Sequence, residues 1–243
     1  MPEYLMFRLY GPLASWGDIA VGEYRPTFAH VSKSAAMGMI AAALGLSRED
    51  EVAQRDLVQS WSFAVKVDAL GQLLRDYHTA QVPPARRGVH HPSRRAELGV
   101  PDLNTILSSR DYYMDAIYTV ALRVIRGSAP FSPQEVAESL RSPVYALYLG
   151  RKSCPPALPL QPQVLSCETL REAFQTVRFR DEIFLGPILR SAGYSMVYWE
   201  ETENIGYDPL HVVVRRDGPV SCRRRQFAER REFYAGLAKG SEE

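Results

Sequence analysis

Tyr148-Leu149-Gly150-Arg151-Lys152-Ser153-Cys154-Pro155 is the stretch on which the reading of this 243-residue chain turns. A short apolar run, Tyr145 to Leu149, ends at a glycine; two cations, a hydroxyl and a proline-rich exit follow. Gly150 can adopt backbone angles closed to other residues, and Pro155 and Pro156 stop a helix or ladder from continuing. The expectation is a strand that stops abruptly and presents Arg151, Lys152 and Ser153 at its tip. A planar fork, a point charge and a small donor on a stiff turn suit a phosphate. An ordinary strand end with a solvated basic pair has the same pattern, so the rest of the chain has to decide.

Working back from that stretch, Ser132-Pro133-Gln134-Glu135 is a capping box with proline at the first helical position, opening a short helix that ends near Leu140. Before it, Asp115 to Ile125 has strand character, with Tyr118, Val120, Leu122 and Val124 on one face. Trp61 to Val67 alternates bulky with small or polar residues, as a half-buried strand does. Ser47 is predicted to cap a helix with Glu49, Asp50 and Glu51 in its first turn. Ser32-Lys33-Ser34 opens another, running to Leu44 with Met37, Ile40, Ala41 and Leu44 as its buried stripe and Gly45 as its C-cap. Its N-terminus, with serine caps and with Arg25 and Lys33 at hand, is a candidate anion site. Tyr4 to Tyr10 is almost continuously apolar, as a central strand would be, and runs into Gly11-Pro12-Leu13-Ala14-Ser15-Trp16-Gly17. Trp16 in that loop is either a core plug or a platform on which a base stacks.

The order is therefore strand, helix with an extra helix, strand, a long insertion, strand, helix, strand. With the insertion removed this is an α+β, ferredoxin-like βαββαβ plan of the RNA-recognition type. The aromatic signature of standard RNA-recognition motifs is missing, and so are a Walker motif and GxGxxG. The insertion, Tyr77 to Asp115, contains Pro83, Pro84, Pro92 and Pro101, and Arg86, Arg87, His90, His91, Arg94 and Arg95 precede its next acid, Glu97. It reads as an irregular, projecting basic arm that orders on a polyanion or a neighbouring subunit, the bland alternative being a flexible surface loop. His90-His91 has no fixed third ligand, and no metal site is expected.

After Pro155 a helix is predicted over Cys167–Gln175, with strands at Ser195–Trp199 and His211–Arg215 and a turn at Asp217-Gly218. Arg215, Arg216, Arg223, Arg224, Arg225, Arg230 and Arg231 face only Asp217 and Glu229 within 215–231, a basic stripe suited to phosphates. The expected organisation is a ferredoxin-like RNA-binding domain over 1–155 with 77–115 inserted as a thumb, then a smaller β-rich region over 156–243.

Composition is that of an ordinary globular domain, with net charge +1, so nothing global points to nucleic acid. The three cysteines, Cys154, Cys167 and Cys222, form no CxxC pair, which disfavours a disulfide framework or zinc site and fits a reducing cytoplasm. No signal peptide, membrane span or cofactor is expected.

Several blocks together resemble the "family five" CRISPR-associated proteins of subtype I-E, the CasD-type subunits of Cascade. They are Leu9-Tyr10-Gly11-Pro12 with Trp16-Gly17, Arg25-Pro26-Thr27, Ser34 before an Ala/Gly-rich helix, Arg75-Asp76-Tyr77-His78-Thr79, Tyr148 through Pro155, and Arg225-Gln226-Phe227-Ala228. The resemblance implies a non-catalytic, cytoplasmic subunit of an antiviral ribonucleoprotein that caps and grips the 5′ handle of the CRISPR RNA. It implies a thumb against the CasC backbone subunit and the large CasA subunit nearby, with target DNA met only through the complex. RNA-binding candidates are Trp16, Arg25, Lys33, Ser34, Arg75, Tyr77, His78, Tyr148, Arg151, Lys152, Ser153 and Arg225. Arg86, Arg87, Arg94, Arg95 and Arg110 are candidates for partner contact on the thumb. The alternative is a metal-independent endoribonuclease that cuts repeat RNA, as relatives in another subtype do, with His78 beside Tyr77 and Arg75, or His30 near Lys33, as its acid–base groups. No catalytic residue is assigned. A third reading is an assembly protein whose basic stretches meet acidic partners.

Overall fold

The computed structural model describes residues 1–125, 129–180, 182–200 and 205–238. The chain opens with β1 (Glu3–Tyr10) and the short β2 (Leu13–Ala14) and β3 (Tyr24–Arg25), followed by α1 (Lys33–Leu44) and α2 (Glu51–Ser60). Next come β4 (Trp61–Ala69), β5 (Gln72–Val82), α3 (Arg94–Leu98), β6 (Asn104–Met114), β7 (Ile117–Val124) and α4 (Pro133–Arg141). The remainder is β8 (Gln163–Ser166), α5 (Leu170–Thr176), α6 (Glu182–Ser191), β9 (Tyr194–Trp199), β10 (His211–Ser221) and β11 (Gln226–Ala238). One seven-stranded antiparallel sheet runs β10-β11-β9-β4-β7-β1-β8; a smaller sheet joins β2, β3 and β5 around β6.

The continuous apolar character of β1 has a direct cause: the strand is covered on both faces. Leu5, Phe7 and Leu9 pack with Phe63, Val65, Tyr118, Val120 and Leu122 beneath α1, α2 and α4. Tyr4 and Met6 point the other way, into a second core with Ala64, Ala121, Val197, Trp199 and the α5 residues Leu170, Ala173 and Phe174. β4 is likewise buried on both faces from Trp61 to Val65, not half-buried as its alternation suggested, because α5 lies over the face that carries Ala64.

Locally encoded helix ends are found where expected. Ser132 and Glu135 form both halves of a capping box on α4. Ser32 caps α1 through Ala35 N–H, and Gly45 closes it in the left-handed conformation. The second helix starts later than expected: Asp50, not Ser47, is its N-cap, and Ser47 instead turns the chain just before it.

Three expectations about the β structure are corrected. Tyr145–Leu149 is not a strand; the strand that follows α4 is β8, which pairs with β1. The amides leading into Tyr145–Leu149 are used elsewhere: Val144 and Tyr145 N–H donate to the Ala43 and Ala42 carbonyls at the end of α1 (3.0 and 3.2 Å), which a helix leaves without internal partners. Asp217-Gly218 does not turn; β10 runs through it with a register shift, and the hairpin turns at Cys222–Arg225. The arm is regular for most of its length. β5 and β6 form one antiparallel ribbon from Gln72 opposite Met114 to Val82 opposite Asn104, so the four prolines are confined to its tip, 83–103. Residue 155 marks no break in the large sheet: β8 lies beside β1, and β9 pairs with β4.

Candidate nucleic-acid interface

A cleft of about 620 Å³ lies against α1 and has three walls. α1 forms the floor with Ser34, Ala35, Gly38 and Ala42; the Tyr145–Gly150 segment forms one side; Pro219, Cys222, Arg225 and Phe227 of the β10–β11 hairpin form the other.

Each wall is fixed by its local chemistry. Gly150 has φ +83°, and a Cβ there would lie 1.9 Å from the Ser15 carbonyl oxygen. Around it Leu149 N–H donates to Cys154 O (2.7 Å), Ser15 N–H to Leu149 O (3.0 Å) and Cys154 N–H to Arg151 O (2.9 Å). Leu149 and Cys154 are thereby driven inside while Tyr145 and Tyr148 stay exposed at the rim. Burial pushes the Cys154 thiol above its ordinary range, so it serves as an apolar plug.

The hairpin wall is fastened by buried charges. Asp217 Oδ2 accepts the Lys33 backbone N–H (2.9 Å), and Arg230 grips both Asp217 oxygens (2.6 and 2.9 Å). Lys33 Nζ binds Glu200 (2.9 and 3.0 Å) and the Trp61 carbonyl (3.0 Å). Glu232, fully buried, meets Arg230 (2.5 Å), Arg215 (3.3 Å) and His30 (3.1 Å). Burial alone would raise the Glu232 pKa, but the His30 hydrogen bond and the charges of His30, Arg230 and Arg215 hold it at about 2. The same acids raise the Arg230 pKa against the effect of its own burial.

These contacts correct several candidates. The α1 anion site exists, but Asp217 of this same chain fills it, and the Lys33 ammonium is buried in an ion pair. Trp16 is a core plug, buried edge-on against Tyr118 (5.4 Å between ring centroids) at the bottom of the cleft. The basic stripe divides: Arg215 and Arg230 are internal, Arg216 pairs with Glu229, and Arg223, Arg224 and Arg225 are exposed at the hairpin turn. Arg151 does not project freely; its guanidinium lies 4.7 Å over the Tyr112 ring and donates to the Arg25 carbonyl (3.1 Å). Lys152 and Ser153 are exposed on the adjoining turn.

The remaining candidates lie on the ribbon side. Arg75 binds Asp111 through two nitrogens (2.8 and 3.1 Å) and Tyr24 Oη (2.8 Å), and its hydrogen bond holds the Asp111 carboxyl below its usual range. Arg25 is exposed with Nη1 on the Gly22 and Tyr24 carbonyls. Tyr77 is exposed, and His78 sits 3.5 Å from Asp76. At the tip, Arg86 lies near Asp102 and Arg94 pairs with Glu97 and the Gln81 carbonyl, while Arg87 and Arg95 are exposed; Arg110 donates to Ser108 on β6. The two histidines of the cleavage reading are not equivalent: His30 is buried in the charge cluster and His78 stands on an exposed ribbon. No cluster with metal-ligand geometry occurs among the described residues, and no described helix is long and apolar enough to cross a membrane.

Ser34, Tyr148, Gly150, Arg225 and Phe227, read from three separate sequence blocks, thus share one cleft with Trp16 beneath it. The model of the CRISPR-associated protein family Cas5 matches residues 4–233. The chain belongs to that family. Over 168 residues it is 34% identical to the CRISPR system Cascade subunit CasD of Escherichia coli (strain K12), covering 66% of this chain and 70% of CasD. A chain of a CRISPR RNA-guided surveillance complex matches with a TM-score of 0.66 and 26% identity, over 97% of this chain and 90% of that one. A Cas protein crystal structure shares the fold, with a TM-score of 0.62 and 24% identity over 97% of this chain and 95% of that one. Phe227 and Gly38 are among the cleft residues that were not site candidates read from sequence. Phe227 lies inside the Arg-Gln-Phe-Ala block and is the more findable of the two.

Proposed function

We propose that this chain is a non-catalytic RNA-binding subunit of a Cascade-type CRISPR surveillance complex, holding the 5′ handle of the guide RNA in the cleft between α1 and the β10–β11 hairpin. The observation that carries the reading is the convergence of the Tyr148–Pro155, Arg225–Ala228 and Ser34 blocks on that one cleft. Single-stranded RNA needs cations for its backbone and flat or aromatic surfaces for its bases. Arg225, Lys152 and the exposed Arg223 and Arg224 supply the first; Tyr148 and Phe227 supply the second. On this reading β1-α1-β4-β7-α4-β8 is the ferredoxin-like core, β9–β11 extend its sheet to complete the cleft, and the β5–β6 ribbon is the thumb. The thumb meets a CasC-type backbone subunit through Tyr77 and the basic tip, and a CasA-type large subunit lies nearby. Arg25, Arg75 and Arg151 then act as braces at the base of the thumb, around Tyr24, Asp111 and Tyr112.

Lys152→Ala/Arg225→Ala should weaken binding of handle RNA. For each phosphate that the variant no longer neutralises, the salt dependence should flatten by roughly 0.7 log units per log unit of salt. Exposed charges contribute little to folding, so the melting temperature should stay near that of the wild type. Affinity titrations at several salt concentrations check this, and an unchanged slope would reject the cleft as the RNA site. Arg151 is left out of the pair because replacing it removes the stacking on Tyr112 as well as a charge.

Replacing residues 83–103 by a two-residue Asn-Gly turn should leave the body folded, since the strand ends flanking this segment are exposed or half-buried and Asn-Gly suits a tight hairpin. Co-purification with the backbone subunit should fall. Normal assembly of the shortened protein would remove the thumb assignment.

A further inference from the structure

We infer that Gly38 is the point where bound RNA rests on the protein backbone, so that this residue sets how deeply a nucleotide seats in the cleft; the inference rests on the cleft being the RNA site. Glycine in a helix interior is disfavoured against alanine, so its presence in the middle of α1 needs a reason. The usual reasons are absent. Gly38 does not have positive φ, unlike Gly45 at the C-cap of the same helix. No neighbouring element packs closely against it, because a Cβ built at 38 meets no atom within 4 Å. Gly38 is exposed, whereas Ala36, Met37, Met39 and Ile40 around it are buried. The open space beside it is the cleft. One helical turn to either side stand Ser34, Ala35, Ala41 and Ala42, so the floor is flat for two turns. Close approach of a ligand to backbone is the remaining role for the glycine. With Tyr148 and Phe227 at the sides and Arg225 at the rim, the chemistry fits one nucleotide, its ribose or base face on the helix and its phosphate at Arg225.

The test compares Gly38→Ala, Gly38→Leu and the cleft-wall pair Arg225→Ala/Phe227→Ala, using a fluorescein-labelled single-stranded RNA of the repeat-derived handle. Both Gly38 variants are good helix formers. Gly38→Ala should melt about 2–4 °C higher than wild type, while affinity falls, and Gly38→Leu should lose about tenfold or more. Stability and affinity moving in opposite directions is the signature that a merely structural glycine would not give. A folded Gly38→Leu that binds as wild type, alongside a cleft-wall pair that does not bind, would overturn this inference and leave the cleft reading standing. Wild-type binding by all three would overturn both. Should Gly38→Leu fail to fold, Gly38→Ala decides: a higher melting temperature with undiminished affinity, or a lower melting temperature, counts against the inference.

Discussion

Gly150→Ala should cost about 3–5 kcal/mol, combining a left-handed conformation imposed on a residue with a Cβ and a steric overlap. The overlap is severe because its other member is main chain: the new Cβ would fall 1.9 Å from the Ser15 carbonyl oxygen and 2.6 Å from its carbon. Ser15 cannot retreat, since its N–H is bound to Leu149 O and its hydroxyl to the Asp111 carbonyl (3.0 and 2.9 Å). In a domain of this size the melting temperature should fall by roughly 10 °C or more. Thermal denaturation followed by circular dichroism measures it. A change of only a degree or two would mean that the segment refolds around the alanine and that its shape is not fixed by this turn. Handle RNA affinity measured well below the lowered midpoint should also drop, because Tyr148 is carried on the same turn.

Glu232→Gln should be comparably damaging, by about 3–5 kcal/mol, the usual range when one member of a buried ion group is removed. Glutamine keeps the shape but leaves Arg215 and Arg230 short of a buried negative charge. The same carboxylate predicts an acid limit. Its pKa is near 2 when folded against an ordinary 4.5, and a carboxylate with a depressed folded pKa stabilises the fold above its unfolded value. That contribution, about 3 kcal/mol, should be complete above pH 4.5, shrink as the pH falls, and be gone below about 2. Denaturant midpoints for wild type and Glu232→Gln between pH 7 and pH 3 test this. The gap between the two should hold from pH 7 to about 4.5 and narrow from there to pH 3; a gap still constant below 4.5 would show that the carboxylate is not the source of the stability.

What is legible in the sequence is what neighbouring residues decide among themselves. The Ser132–Glu135 capping box, the Gly45 C-cap and the doubly apolar Tyr4–Tyr10 strand are local signals, and the family blocks are themselves local strings. Charges mislead because their partners are remote in sequence. Lys33 reads as free for a phosphate, yet Glu200 and Asp217, which engage it, lie 167 and 184 residues further on. Tyr145–Leu149 has the composition of a strand, but its flanking amides find helix carbonyls about 100 residues earlier. The ribbon is hidden for a different reason: with both faces in solvent, β5 carries no hydrophobic alternation to betray it. The cleft residues stand far apart along the chain, and only the fold gathers them.

Asp217 at the head of α1 has a bearing on how the protein is made. The helix lies early in the chain, yet the carboxylate that satisfies its first amide is translated 184 residues later. During synthesis β1, α1 and β4 must wait with Lys33 and the helix terminus incompletely paired until β10 and β11 emerge. Contacts of such long sequence separation close slowly. A nascent or prematurely terminated chain lacking the hairpin therefore has neither its buried charge cluster nor one wall of the cleft. On the function proposed above, guide capture is thereby confined to chains translated through β11, and defective fragments are excluded from competing for the handle.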